Sequence, residues 1–345
     1  MLEHWIQPID STLAHEGYLA GDRLGSNLSG MAAIQQAPQR RAVALIGVDS
    51  RWARYVRRHL YKFTFRMPDM AIYDLGNLRR SDPDFVTGPL MELMTPGICP
   101  VLIGAHPGLI KSLRQSMQFH KQQLRPAFVH ETVPEVALQS EDRSLVIGVQ
   151  QHLVPRQCPK HLETLHLSRA QQHMYDADTL VRESNALVFD LSAMSAIDVP
   201  AQRSVSVSGF NTTDACTIMR SAGLHADTRA VYLSGHDPMS LQLDQSANVA
   251  AQMIWYFLEA YHQCIPEVPT ASKTCTAYTV HLDDYDTDFT FYKSERTGRW
   301  WVGFSRENGQ AIFPCTYYDY QHAMNGEVTD RILHCATESL ESIEH

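Results

Sequence analysis

The chain has 345 residues, 44% apolar and 19% charged, which allows one large domain with an appendage, or two small ones, and excludes wholesale disorder. A formal net charge of −9 argues against a duplex-binding face, so no nucleic-acid partner is expected. The opening MLEHWIQPID lacks a positive n-region before an apolar run, no stretch reaches the roughly 18 apolar residues of a membrane span, and the cysteines form no Cys-x-x-Cys pair; a cytoplasmic protein with reduced thiols is expected.

Residues 1–40 carry little periodicity, and AGDRLGSNLSGMAAIQQAPQRR reads as a loop or loosely attached arm. RAVALIGVD (41–49) is an apolar run ending in Gly and Asp, the pattern of a buried parallel strand. RWARYVRRHLYKFTFR (51–66) reads as a basic amphipathic helix with a solvated face. Runs like the first recur at MAIYDLG (70–76), CPVLIGAH (99–106), RPAFVHE (125–131), SLVIGVQ (144–150), ALVFDLS (186–192) and RAVYLSGHDP (229–238). Helical spacing fills the gaps, as in GLIKSLRQSMQFHKQQL and TTDACTIMRSAGL. Strands alternating with helices predict a mainly parallel sheet covered on both faces.

ANVAAQMIWYFLEAYHQ (247–263) is apolar around most of its circumference, which predicts a helix deep in the core. After Pro266 the pattern becomes alternating and aromatic. DFTFYKS and RWWVGF flank ERTG as a β-hairpin, and the tail from Glu327 reads as helix. The expected organisation is an arm over 1–40, an α/β domain over 41–265 and a hairpin-and-helix extension over 266–345.

Ligands of such sheets sit beyond the carboxyl ends of the strands, where His106, His130, Gln150, Asp190 and His236 all fall. Read together, these strand ends resemble the ureohydrolases: arginase, agmatinase and especially formimidoylglutamase. IGAH (103–106) stands for the family's Gly-Gly-Asp-His and keeps its His. HETVP (130–134) occupies the slot of Asp-Ala-His-x-Asp, with His130, Thr132 and Pro134 at its three ligand positions. VIGVQ resembles the family's Ile-Gly-x-Arg strand. VFDLS stands for Ser-Phe-Asp-x-Asp, keeping Asp190 and placing Ser192 where the second carboxylate belongs. Pro200 and SGFNTTDA (208–215) resemble the loop that follows, and LSGHDP puts Gly235 where the family has a substrate-side Glu. The likeness runs over 41–263 and implies a three-layer arginase-like α/β fold with a small C-terminal hairpin appendage.

A two-manganese hydrolase balances its dications with carboxylates. Of the family's ligands only His106 and Asp190 match, so the resemblance implies a fold that has lost binuclear manganese hydrolysis. The expected role is a scaffold, binding or assembly component with no cofactor, and a protein partner or homo-oligomer is implied. The alternative is a hydrolase of linear amidines or amides with a rebuilt site for one divalent metal ion on His106, His130 and Asp190, to which His152 and His236 could add. Nucleophilic readings are poorer. Ser208-Gly209 and Ser234-Gly235 lack a Gly-x-Ser-x-Gly elbow, the Gly-rich GYLAGDRLGSNLSG precedes the first strand, and Cys158 has no assigned base. Tyr292, Trp300 and Trp301 of the hairpin are candidates either for an exposed interface or for packing the hairpin on its own domain.

Overall fold

The computed structural model describes residues 2–9, 21–36, 41–139, 143–154, 159, 161–267, 269, 274–282, 287–306 and 309–341; Cys158 lies outside them. Continuous apolar runs make strands buried on both faces. In chain order these are β1 (Ile6–Gln7), β2 (Ala42–Gly47), β3 (Ala71–Leu78), β4 (Ile98–Ile103), β5 (Pro126–Val129), β6 (Ser144–Val149), β7 (Leu162–His166), β8 (Ala186–Asp190) and β9 (Ala230–Ser234). They form one sheet in the order β1-β3-β2-β4-β9-β8-β5-β6-β7. Every pairing is parallel except the edge strand β1, which runs antiparallel to β3.

The helices between them are α1 (Ser50–Leu60), α2 (Pro83–Met94), α3 (Ile110–Phe119), α4 (Glu135–Leu138), α5 (Leu167–Gln172), α6 (Met174–Glu183), α7 (Thr212–Gly223) and α8 (Leu243–Gln263). Strand pleating divides the core between the two faces. Val43 and Leu45 of β2 pack with α1, α6, α7 and α8, while Ala42, Ala44 and Ile46 pack with α2 and α3. The expected three-layer α/β architecture is present. Helix α8 is buried along most of its length, from Leu243 to Tyr261.

Two readings of the sequence need correction in this part, and one strand went unread. Residues 2–9 and 21–36 are not loosely attached: Ile6 and Leu24 are fully buried, and Trp5 Nε1 donates to Glu92 at 3.2 Å. LETLH forms β7, which the sequence hid because an edge strand with Glu and His lacks the apolar run of a central one. Arg57, on the basic face of α1, is buried instead of solvated. Its Nε and Nη2 donate to the two Asp74 oxygens at 2.8 and 2.9 Å, and Nη1 donates to Asn77 at 2.8 Å.

The chain divides into two compact units, Met1–Cys264 and Ile265–His345. The second contains β10 (Cys275–Leu282), β11 (Thr287–Ser294), β12 (Trp300–Arg306) and β13 (Gly309–Cys315), an antiparallel sheet in that order, with α9 (Tyr317–Met324) and α10 (Asp330–Glu341). The expected hairpin is β11–β12, set within a larger sheet. Phe289, Phe291, Trp300, Val302 and Phe304 form its core with Ala323, Ile332 and Cys335. Trp300 stacks on Tyr278 and Tyr320, and Trp301 is also buried, so neither indole is an exposed interface candidate. Tyr292 donates its hydroxyl to Gln310 at 2.6 Å.

Candidate functional site

Four neighbouring strands, β4, β9, β8 and β5, end on one side of the sheet and supply most of the site. After β4 the chain turns at Gly104, with φ +83°, and presents Ala105 and His106. The His106 ring lies against Gly108, where a Cβ would come within 2.9 Å of its Cε1 and Nδ1. After β5 comes His130, whose Nδ1 accepts the Thr132 backbone N–H at 3.1 Å. β8 ends at Asp190, a buried carboxylate that accepts the Ser192 N–H at 2.9 Å and the Ser234 hydroxyl at 2.7 Å. Gly235, with φ +82°, follows β9.

The segment 194–210 closes the mouth and is tied down by two buried amides. Gln202 donates to the carbonyls of Leu191 and Met194, both at 2.7 Å, and accepts the Ser206 N–H at 2.9 Å. Gln150 donates to Ser206 Oγ and to the Ser208 carbonyl, both at 2.8 Å. Arg203 N–H donates to the Gly235 carbonyl at 2.8 Å, which brings Arg203 and Ser204 over the strand ends. Ser204 in turn donates to the buried Glu131 at 2.7 Å.

These parts line a half-open pocket of about 210 Å³, with His106, His130, Asp190, Ser192, Arg203 and Ser204 among its residues. The three residues singled out from the sequence therefore meet at one place. Two other candidates do not join them. Exposed His152 lies outside the lining, and His236 turns away from it. The buried His236 ring stacks on Trp52 with centroids 5.0 Å apart, and its Nε2 lies 3.3 Å from Asp49 Oδ2. The His236 ring holds the Asp49 carboxyl below the usual aspartate range against the opposing effect of burial, and the Trp52 N–H adds to the lowering. Gln150 is structural, since both of its donated bonds go to the closing segment.

Sequence reasoning missed Arg203 and Ser204. The signal was present in AQRSVSVSGF, a basic residue flanked by short polar ones in the segment next to a strand-end Asp. Only the fold shows that this segment turns back over the site.

The polarity of the cavity follows from its hydrogen bonds. With its Nδ1 lone pair taken by Thr132, a neutral His130 carries its proton on Nε2 and offers a donor there, not a lone pair. Both Asp190 oxygens already accept from the protein. The Ser192 hydroxyl is buried and has no hydrogen-bond partner among the described residues. The Arg203 side chain is exposed and makes no ion pair or hydrogen bond among them.

No protein-family profile matches the chain, and no curated protein matches it in sequence. Its fold does match solved structures. Trypanosoma cruzi formiminoglutamase with Mn2+2 superposes with a TM-score of 0.58 at 14% identity, covering 70% of this chain and 99% of that one. Formimidoylglutamase from Bacillus subtilis gives 0.55 at 10% identity, covering 69% and 91%. A hypothetical agmatinase from Burkholderia thailandensis gives 0.53 at 13% identity, covering 65% and 86%.

One expectation is overturned by these matches. The lost carboxylates led to an expectation of no cofactor, yet several of the matching structures carry manganese, which points to a metal cofactor for the fold. The side chains present do not, as arranged, fit a pair of such ions. Thr132, Pro134 and Ser192 bring no charge, and His130 presents a donor. Among the described residues no three His, Cys, Asp or Glu side chains come close enough together to hold an ion. No described helix is long and apolar enough to cross a membrane. The chain has the arginase-like ureohydrolase fold.

Proposed function

We propose that this protein is a cytoplasmic member of the arginase-like fold in which two-metal hydrolysis has been lost, and in which the strand-end cavity serves a scaffold, binding or assembly role. The observation that carries the reading is the state of Asp190. The one carboxylate kept at the metal positions accepts the Ser192 N–H and the Ser234 hydroxyl, and it stands alone there, with Ser192 where its partner carboxylate would be. Metal content and turnover test it together. The purified chain, supplied with Mn2+, is expected to hold fewer than two ions and to release neither formamide from formimidoylglutamate nor urea from agmatine or arginine. Two ions per chain, with turnover abolished by His106→Ala, would defeat it.

A second reading is supported by the sharing of one cavity by His106, His130 and Asp190. In it, one divalent ion is held by those residues, supplying Lewis-acid chemistry for a linear amidine or amide. It requires His130 to give up the Thr132 bond and free a lone pair for the ion. Stoichiometric binding of one ion with measurable amidine hydrolysis would select it.

A further inference from the structure

We propose that an apolar patch beside the strand-end pocket is the interface on which a second copy of this chain docks about a two-fold axis. Nothing in this depends on whether the pocket hydrolyses a substrate. Five large apolar side chains face solvent on two neighbouring segments: Ile197, Val205 and Val207 on the closing segment, and Met239 and Leu241 between β9 and α8. Each is at least 69% exposed, and Leu241 completely so. Hydrogen bonds bring the segments together. The Ala196 N–H donates to the Ser206 carbonyl at 2.8 Å, which sets Ile197 near Val205 and Val207. Gln245, one turn after Leu241, donates through Nε2 to the carbonyls of Ile197 and Asp198 at 2.9 and 3.2 Å. Two residues before Met239, the Asp237 N–H donates to the Ala201 carbonyl at 3.0 Å.

The outward path of these residues is fixed by what lies beneath them. Ser206 is buried and held by Gln150 and Gln202, so the alternation of an extended chain turns Val205 and Val207 to the outside. The Ala201 N–H donates to the buried Ser246 hydroxyl at 2.9 Å. A surface already ordered loses little conformational entropy when it is covered. Scattered apolar side chains on a surface are ordinary, whereas a grouped set marks an interaction site. At whole-residue areas of roughly 150–200 Å² each, the five expose on the order of 700 Å², above the roughly 300–600 Å² of a monomer's largest patch and near the ~800 Å² per partner of a standard interface. The charges around the patch favour a copy of the chain as its occupant. Both signs are present: Arg51, which donates to the Pro238 carbonyl, and Arg203 stand against Asp198, Asp237 and Asp244. Arg203 has no ion pair or hydrogen bond among the described residues. A partner of one sign would leave half of this rim unanswered. A two-fold mate lays apolar surface on apolar surface and can set each copy's cations against the other's carboxylates.

Sedimentation velocity on the full chain across a dilution series tests this. The wild type should sediment as a dimer that dissociates on dilution. Val207→Asp and Leu241→Asp each put a charge into the apolar contact and should raise the dimer Kd by roughly 30-fold or more. Both positions are exposed, so the variants should fold; matched thermal melts confirm it. Leu241→Ser should shift Kd in the same direction by less. Phe119→Asp is the control. Phe119 is 65% exposed but closes α3, which starts beyond the end of β4 and runs back along the sheet, away from the strand ends. It should leave Kd unchanged. The proposal falls if the chain is a monomer at every concentration, as it would be with the patch kept for a different protein. It falls equally if the assembly is a trimer, if Val207→Asp or Leu241→Asp leaves Kd unchanged, or if Phe119→Asp weakens the dimer as much as they do.

Discussion

The carboxylate of Asp190 fills the space in which a side chain on Gly235 would begin. A Cβ built there collides with Asp190 Oδ1, and the Gly235 backbone has φ +82°. The family's substrate-side Glu is therefore not simply absent from this position. The present fold has no room for it while Asp190 keeps its two hydrogen bonds.

Gly235→Ala should destabilise the protein by about 1–3 kcal/mol, the usual size of left-handed backbone strain, with the collision adding to it. Gly235→Glu should be no better and should not restore hydrolysis. Urea melts of both variants, repeated in an Asp190→Ala background, separate the causes: the collision with the carboxylate is relieved there, while the backbone strain and the 2.8 Å approach to the Leu191 backbone nitrogen persist. Equal losses in both backgrounds would show that Asp190 is not the obstacle.

Asp190→Ala alone should cost about 2–4 kcal/mol, because it strands the Ser192 N–H and takes the Ser234 hydroxyl's short partner. Adding His106→Ala should add little to that loss, since no hydrogen bond joins the two side chains among the described residues. Chemical denaturation of the single and double variants measures this. A large extra loss would mean that His106 supports the carboxylate.

Arg57 and Asp74 form a buried bidentate pair, and Asp74 also accepts the Tyr61 hydroxyl at 2.6 Å. Arg57→Ala or Asp74→Ala should each cost about 3–5 kcal/mol by leaving a buried charge unpaired. Replacing both with apolar residues of similar volume should cost much less than the two losses added. A double variant showing the full additive loss would mean that the pair contributes through more than mutual satisfaction.

Acid stability should depend on Asp49. Its carboxyl is held below the ordinary aspartate value of 3.8 by His236. A depressed carboxyl contributes stability that is fully present above its unfolded value and is lost as pH falls through the folded one. In the wild type this contribution should fade below about pH 4. Asp49→Ala should therefore be destabilising at neutral pH and show a shallower loss below that point. Thermal melts from neutral to acid pH check it; parallel curves for wild type and variant would remove the carboxyl from the acid response.

How far the sequence reached differs between the sheet and the site. The central strands were legible because burial on both faces forces an unbroken apolar run, as in ALIG of β2 or LVF of β8, and turn residues mark their ends. The edge strands β1 and β7 were not, since a strand with one free edge has no such constraint. The resemblance of the strand ends likewise placed His106, His130 and Asp190 together, because in a parallel sheet the topology alone gathers strand ends on one side. What the sequence could not decide is what each of these groups faces. That His130 gives up its Nδ1 lone pair to Thr132, that Asp190 accepts from Ser192 and Ser234, and that Arg203 returns over the strand ends are outcomes of loop paths and hydrogen bonds between distant segments. Arg57 shows the same division: its place on a basic helix face could be read from spacing, but only packing against β3 brought Asp74 close enough to hold it inside.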